Sequence, residues 1–166
     1  MTDTTDRLAL PLLQSGQAQK EVTHNEAVAM ADMLMQSVIV SVAPGSVPAS
    51  PSFGQCWIVG AGASGAWAAH DHALACWTSG GWRFAAAFSG MSVWSLADNA
   101  VARFDGSGWI IGRVEAAELR VNGTKVVGAR AAAIPGPSGG TTIDSEGRLV
   151  LESILSALRT HGLIAP

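Results

Sequence analysis

Two twelve-residue stretches, ALACWTSGGWRF (73–84) and AVARFDGSGWII (100–111), align without a gap at an offset of 27 residues. Each carries small and large side chains in alternation, breaks at glycine, and resumes with a tryptophan. That pattern is strand, four-residue turn, strand. The repeat lies in a longer region, Gln55 to Gly112, that holds all six tryptophans and has glycine-rich turns about every ten residues. A chain so punctuated has to form hairpins. The expected class is therefore mainly β with flanking helices (α+β), built on a small antiparallel meander of tryptophan-bearing hairpins over 55–112.

A four-residue loop sets its two flanking residues opposite one another, so Trp77 should face Trp82 and Phe104 should face Trp109. Alternation then places Ala73, Ala75 and Phe84 on the same face in the first copy, and Ala100, Ala102 and Ile111 in the second. Small residues between large ones suggest packing.

Before the meander, Thr23-His24-Asn25-Glu26 has the form of a capping box and predicts a helix start at Thr23. Ala27, Met30, Ala31, Leu34 and Met35 continue it at helical spacing to about Gln36. Val38, Val40 and Val42 then alternate as a short strand, and the breaker-rich APGSVPASPSFG reads as a linker centred on 46–54. Residues 1–45 thus form an N-terminal segment with a helix and a strand. After it, Asn122-Gly123 between Leu119-Arg120-Val121 and Lys125-Val126-Val127 predicts a hairpin within 113–134. The last segment, 135–166, holds an amphipathic helix capped by Thr142 or Asp144, with Val150, Leu151, Ile154, Leu155 and Leu158 on one stripe and Gly162 at its end. One such helix is marginal alone and has to dock or oligomerise.

Charged residues are 14% of the 166-residue chain and apolar ones 48%, against about 25% charged in an ordinary soluble domain. Part of the surface is expected to face protein. With a formal net charge of −3 and ten scattered basic residues, there is no basic stripe for nucleic acid. No apolar run is long enough for a membrane span, and MTDTTDRLAL carries acids where a signal peptide has lysine or arginine. Synthesis in the cytoplasm without processing is expected. Cys56 and Cys76 are too few for a zinc site and read as buried free thiols.

Candidate chemistry is sparse. His70 and His72 of HDH would share a face in a strand and could hold a metal, but no third ligand stands at a suitable spacing, and a polar turn between hairpins accounts for them. No nucleophile elbow is present, and GAGASG (60–65) lacks the helix and the acid of a dinucleotide loop. No cofactor is expected. Tryptophan faces stack on the apolar side of sugar rings while acids, amides and imidazoles take the hydroxyls. Trp77, Trp82 and Trp109 read as core, whereas Trp67 and Trp94 stand near predicted loops. A glycan site is therefore expected at Trp67 or Trp94 with His70, Asp71 and His72.

LPLLQSGQAQKEVTHNEAV (10–28), followed by GAGASGAWAAHDHALACWTSGGWRF and VARFDGSGWI, resembles the DUF2793 family, a domain of unknown function met in prophage tail-fibre-like proteins and gene transfer agents. The segment from VVGARAAAIPGPSGG to the end looks like the C-terminal part that accompanies it. The resemblance implies a virion structural protein, similar to head spikes or fibres that sit on a particle surface and help it adhere to host capsular polysaccharide. It brings no catalytic residues. Such fibres are commonly homotrimeric, and the low charge and lone amphipathic helix suit a subunit that hides surface against copies of itself or other particle proteins. Gln14, Gln17, Gln19, His24 and Asn25 are then expected to make hydrogen bonds across an assembly contact, where uncharged amides avoid the desolvation cost of ions. The subunit would be made in the cytoplasm, mounted on the particle and released on lysis. The rival reading is a small glycan-active enzyme, a capsule depolymerase fragment. Glycoside hydrolysis generally uses two carboxylates about 5 to 9.5 Å apart, and Asp71, Asp98 and Asp105 are the only acids in the tryptophan region.

Overall fold

The computed structural model describes residues 4–14, 16, 20–44, 46–141 and 144–165. The chain divides into two compact units, Met1–Arg113 and Val114–Pro166. The residues 46–54 lie within the first, and the stretches 114–134 and 135–166 make up the second.

The first unit is mainly β. Helix α1 (Lys20–Leu34) leads to β1 (Val38–Ile39), β2 (Cys56–Ile58), β3 (Leu74–Thr78), β4 (Gly81–Ala85), β5 (Ser92–Ser95), β6 (Ala100–Phe104) and β7 (Trp109–Ile111). Strands β2-β3-β4 form an antiparallel sheet, and β1-β5-β6-β7 form a second sheet in which only β1 runs parallel to its neighbour. The repeat copies are the hairpins β3-β4 and β6-β7. Trp77 pairs with Trp82 and Phe104 with Trp109, as the spacing requires, with ring centroids 5.1 and 5.5 Å apart.

The sheets meet over a common core. Cys56, Ile58, Leu74, Cys76 and Ala85 from one sheet pack with Ile39, Val93, Ala102 and Phe104 from the other, closed by Met33 of α1 and by Met91. The opposite face of the three-stranded sheet is covered as well: Trp57, Val59 and Ala75 pack with Trp67, and Trp77, Trp82 and Phe84 lie against them. A strand buried on both faces needs a continuous apolar run. Cys56-Trp57-Ile58-Val59 is that run, and all four residues are buried. The four-stranded sheet has only one covered face, so Ser92-Val93-Trp94-Ser95 alternates exposed and buried.

Two local expectations are corrected. Helix α1 is already under way at Lys20, which puts Thr23 inside it, and the reciprocal capping box is not formed because Glu26 turns to Arg83 instead. The strand after α1 is also in a different register. Ile39 is fully buried while Val38 is exposed. The cause is that the segment changes sheets: Ser37 and Ile39 accept from Trp94 and Leu96, whereas the Val40 and Ala43 amides donate to Cys56 and Ile58. It stitches the two sheets together along one side, so Val40 turns to the tryptophan cluster and Val42 to the common core.

The second unit contains the hairpin β8 (Leu119–Val121) and β9 (Thr124–Val127) and helix α2 (Ser145–Thr160). Asn122 and Gly123 adopt φ values of +49° and +79°, the left-handed pair that a two-residue hairpin turn demands. Asp144 caps α2 by accepting from the Gly147 amide at 2.9 Å; Thr142 lies outside the described residues. Gly162, at φ +71°, ends the helix, and Ala131 then bridges to Ile164.

Candidate functional site

His70-Asp71-His72 forms a tight turn rather than a strand, so the two imidazoles are not set side by side on one face. Ala69 and His72 take φ values of +65° and +64°, a left-handed conformation that residues with a Cβ adopt sparingly. Hydrogen bonds hold it. The Asp71 carboxylate accepts from the Gly62 amide at 3.0 Å and the Ala63 amide at 3.4 Å, tying the glycine-rich loop to the turn. The Gly62 amide foremost, then that of Ala63 and the nearby His72, holds the Asp71 carboxyl below the usual carboxylate range. The His72 amide donates to Val59 at 3.0 Å, and its carbonyl accepts from the Trp109 indole at 2.9 Å. The His70 ring lies flat on Phe84, centroids 3.7 Å apart.

These groups open onto a groove of about 350 Å³ lined by His70, Asp71, His72, Phe84 and Phe104 among others. Two imidazoles and a carboxylate thus stand beside two phenyl rings. The mixture suits a ligand with one apolar face and several hydroxyls. Among the described residues, no group of three His, Cys, Asp or Glu is arranged to hold a metal ion.

The tryptophans expected at this site are not there. Trp67 is fully buried. Its ring meets Trp82 edge-on at 5.3 Å and Trp57 at 6.4 Å, because the short 3-10 turn Gly65–Trp67 folds it under the loop as a lid on the three-stranded sheet. It cannot present a face to a sugar. Trp94 is 39% exposed, but it stands on the open face of the other sheet and lines a separate shallow groove of about 330 Å³ with Gln36, Val38, Ser92 and Val101. The aromatic partners of the HDH turn are Phe84 and Phe104.

Of the residues expected at an assembly contact, Gln17 and Gln19 lie outside the described residues. Gln14 and His24 are exposed. Asn25 is not free for a partner: its side-chain oxygen accepts from the Leu13 amide at 2.9 Å and its nitrogen donates to the Leu13 carbonyl at 3.0 Å. The amide pins the N-terminal segment to α1.

Sequence reasoning missed the strongest polar cluster of this unit. Asp32 is buried, and its carboxylate accepts from the Thr5 hydroxyl at 2.9 Å and from the Arg7 and Leu8 amides at 3.1 and 2.7 Å. The Arg7 guanidinium reaches the carbonyls of Asp32, Met35 and Gln36 at the end of α1, where a cation complements the helix dipole. Glu26 and Arg83 form a two-pronged ion pair at 2.6 and 2.8 Å, and Asp6 accepts from the amide and hydroxyl of Ser79. A second cavity of about 350 Å³ lies among them. An acid between Met30 and Met33, the only charge in the apolar second half of the helix from Ala27 to Leu34, was the available signal.

The acids needed by a hydrolase are engaged in turns. Asp98 accepts from the Ser95 hydroxyl at 2.5 Å. Asp105 accepts from the Ser107 and Gly108 amides at 2.8 and 2.9 Å, which hold its carboxyl down at about 2.

No helix among the described residues is long and apolar enough to cross a membrane. No curated protein matches the chain. Residues 24–110, from α1 through the second hairpin, match a family described as a protein of unknown function, DUF2793. The match takes in more than half of the 166 residues and lies within the first unit, and the chain belongs to the DUF2793 family.

Proposed function

We propose that this chain is a structural subunit of a phage-like particle, a spike or fibre component of a gene transfer agent or prophage, that self-associates and helps attach the particle to host surface polysaccharide. One observation carries the assembly part. On α2, Val150, Leu151 and Ile154 are exposed while only Leu155, at the edge of the same apolar sector, is buried. The hairpin β8-β9 adds Leu119, Val121, Val126 and Val127, all exposed. Ile134, Leu149 and Leu163 are exposed as well, so this unit leaves most of its large apolar side chains without a covering layer. The preferred partner is a further copy of the chain, as a trimer, with other particle proteins at its ends.

Attachment is supported by the groove at the HDH turn, where Phe84 and Phe104 flank His70, Asp71 and His72, and by the exposed Trp94 on the neighbouring sheet. Binding is favoured over hydrolysis because Asp71, Asp98 and Asp105 are each committed to turn hydrogen bonds. Light scattering coupled to size exclusion tests assembly, with a trimer expected and a stable monomer at micromolar concentration counting against it. Adhesion to capsulated cells tests attachment. His70→Ala or Trp94→Ala should weaken it with the oligomer intact, and unchanged adhesion in both would remove the chain from the contact with the host. Release of new reducing ends from capsule would favour the depolymerase.

A further inference from the structure

Cys56 and Cys76 are directly opposite one another on β2 and β3. Which kind of pair they make follows from the ladder. The Val59 amide donates to Ala73 at 2.9 Å and the Trp77 amide to Gln55 at 2.9 Å, so the pairs 59–73 and 55–77 are hydrogen-bonded. Residues 56 and 76 are an odd number of steps from both, which makes them a non-hydrogen-bonded pair. At such positions the Cα atoms stand about 4.5 Å apart with side chains on the same face, inside the span of about 4.4–6.8 Å that a disulfide bridges. Both side chains enter the common core. Both cysteines are free, and the Cys56 thiol donates to the Gly54 carbonyl at 3.6 Å.

We infer that Cys56 and Cys76 are a latent cross-strand disulfide, a dithiol that a peroxide converts to an S–S bond without rearrangement of the sheet. Access comes through the strand end. Cys56 is the first residue of β2, and it follows the turn of exposed Phe53 and left-handed Gly54. Opening of that turn admits an oxidant as small as hydrogen peroxide. The Cys56 sulfur attacks one peroxide oxygen; the O–O bond breaks, and the departing hydroxide leaves as water with the thiol proton. The resulting sulfenic acid has Cys76 as its nearest thiol. The Cys76 sulfur attacks the Cys56 sulfur, the S–O bond breaks, and hydroxide leaves as water with the Cys76 proton. Two thiols are oxidised and one peroxide is reduced to two waters.

The bond closes a loop of about twenty residues and staples β2 to the hairpin that carries Trp77 and Trp82. The inference stands apart from the attachment role, because it needs only the register and burial of the two residues.

The test is peroxide titration of the full chain in the folded state. The expected result is loss of about 2 Da from the intact mass, loss of both thiols to an alkylating reagent, a linked Cys56–Cys76 peptide, and a melting temperature raised by several degrees that falls back on reduction. In Cys76→Ala the sulfenic acid should persist as a gain of about 16 Da and be trapped by a carbon nucleophile, because its resolving thiol is gone. Thiols that stay free under peroxide that oxidises the urea-unfolded chain would overturn the inference. So would gains of about 32 or 48 Da in the native protein, or disulfide-linked dimers, since each means that neither thiol resolves the other.

Discussion

The first unit buries Ile39, Ile58, Leu74, Cys76, Trp67 and Ala102 at 1% exposure or less, in two apolar clusters on either side of one sheet. The second unit, whose share of valine and leucine is the higher, buries only Leu155 and Ile164 among its described large apolar residues. Two things separate the units: all six tryptophans and all four phenylalanines lie in the first, and so does the layering. A sheet or helix has one apolar face to cover, and a domain covers it by stacking a second layer. The first unit has a helix and two sheets to stack. The second has one hairpin and one helix, and an isolated hairpin or a single helix of this length is marginal in water. The first unit is therefore built as a self-sufficient fold, and the second leaves apolar surface that the proposed self-association would cover.

Substitutions in the first unit should act on folding and those in the second on association, and the largest effects belong to the tryptophan cluster. Trp67→Ala or Trp82→Ala empties a site bounded by two aromatic rings in the first case and four in the second and should cost about 3–5 kcal/mol in urea unfolding. Oligomer size should be unchanged wherever the variant remains folded. A cost below about 1 kcal/mol would mean that the first unit does not depend on its second cluster.

Next in size is the buried carboxylate. Asp32→Ala leaves the Thr5 hydroxyl and the Arg7 and Leu8 amides without their acceptor, at a cost of about 3 kcal/mol. Released N-terminal residues should be cut first in limited proteolysis. An unaltered cleavage pattern would deny the segment its anchor.

The mirror experiment lies on α2. Ile154→Asp places a charge in the middle of the exposed apolar sector, should change folding stability by less than about 0.5 kcal/mol because the residue is half exposed, and should convert the oligomer to smaller species. If instead it unfolds the chain with no change in association, the second unit is a fold in its own right and the contrast fails.

How much of this was legible depends on the range of the interactions. The hairpins, the opposition of Trp77 to Trp82 and of Phe104 to Trp109, the Asn122-Gly123 turn and the Asp144 cap are set by residues within a few positions of one another, and all were readable. Trp67 was misplaced because its burial is decided at a distance, by Trp57 and Trp82 across the sheet. Glycines 60, 62 and 65 do announce a loop, but a loop can fold inward. The same holds for the polar cluster: Asp32 and Arg7 are 25 residues apart, and nothing in the local pattern pairs them. Val38 and Ile39 exchange roles because the strand passes from one sheet to the other, which a period of two does not reveal. The HDH turn is marked by its chemistry, but its aromatic neighbours Phe84 and Phe104 lie in strands whose local pattern signals only packing.

The smallest predicted effect distinguishes the turns of the two units by acid. The β6-β7 turn in the first unit is held by Asp105, which accepts from the Ser107 and Gly108 amides and from the Ser107 hydroxyl. The β8-β9 turn in the second unit has no carboxylate accepting its amides; Asn122 and Gly123 supply the left-handed pair, and Arg120 donates to the Gly123 carbonyl at 2.9 Å. Hydrogen bonds to the charged form, those of the Ser107 and Gly108 amides foremost, lower the Asp105 pKa from its ordinary 3.8 to about 2. A depressed carboxylate stabilises the fold above its unfolded value and loses that contribution as pH falls through the folded value. The window is therefore pH 4 to 2. Wild type should be slightly more stable than Asp105→Asn at pH 5, and the difference should close as the pH approaches 2. Carboxyl NMR titration of Asp105 should give a midpoint near 2, and amide shifts at Ser107 and Gly108 should follow it while those at Asn122 and Gly123 stay still. A midpoint near 3.8 would show that the turn does not grip its carboxylate, and movement at Asn122 in the same window would show that the two turns do not respond to acid independently.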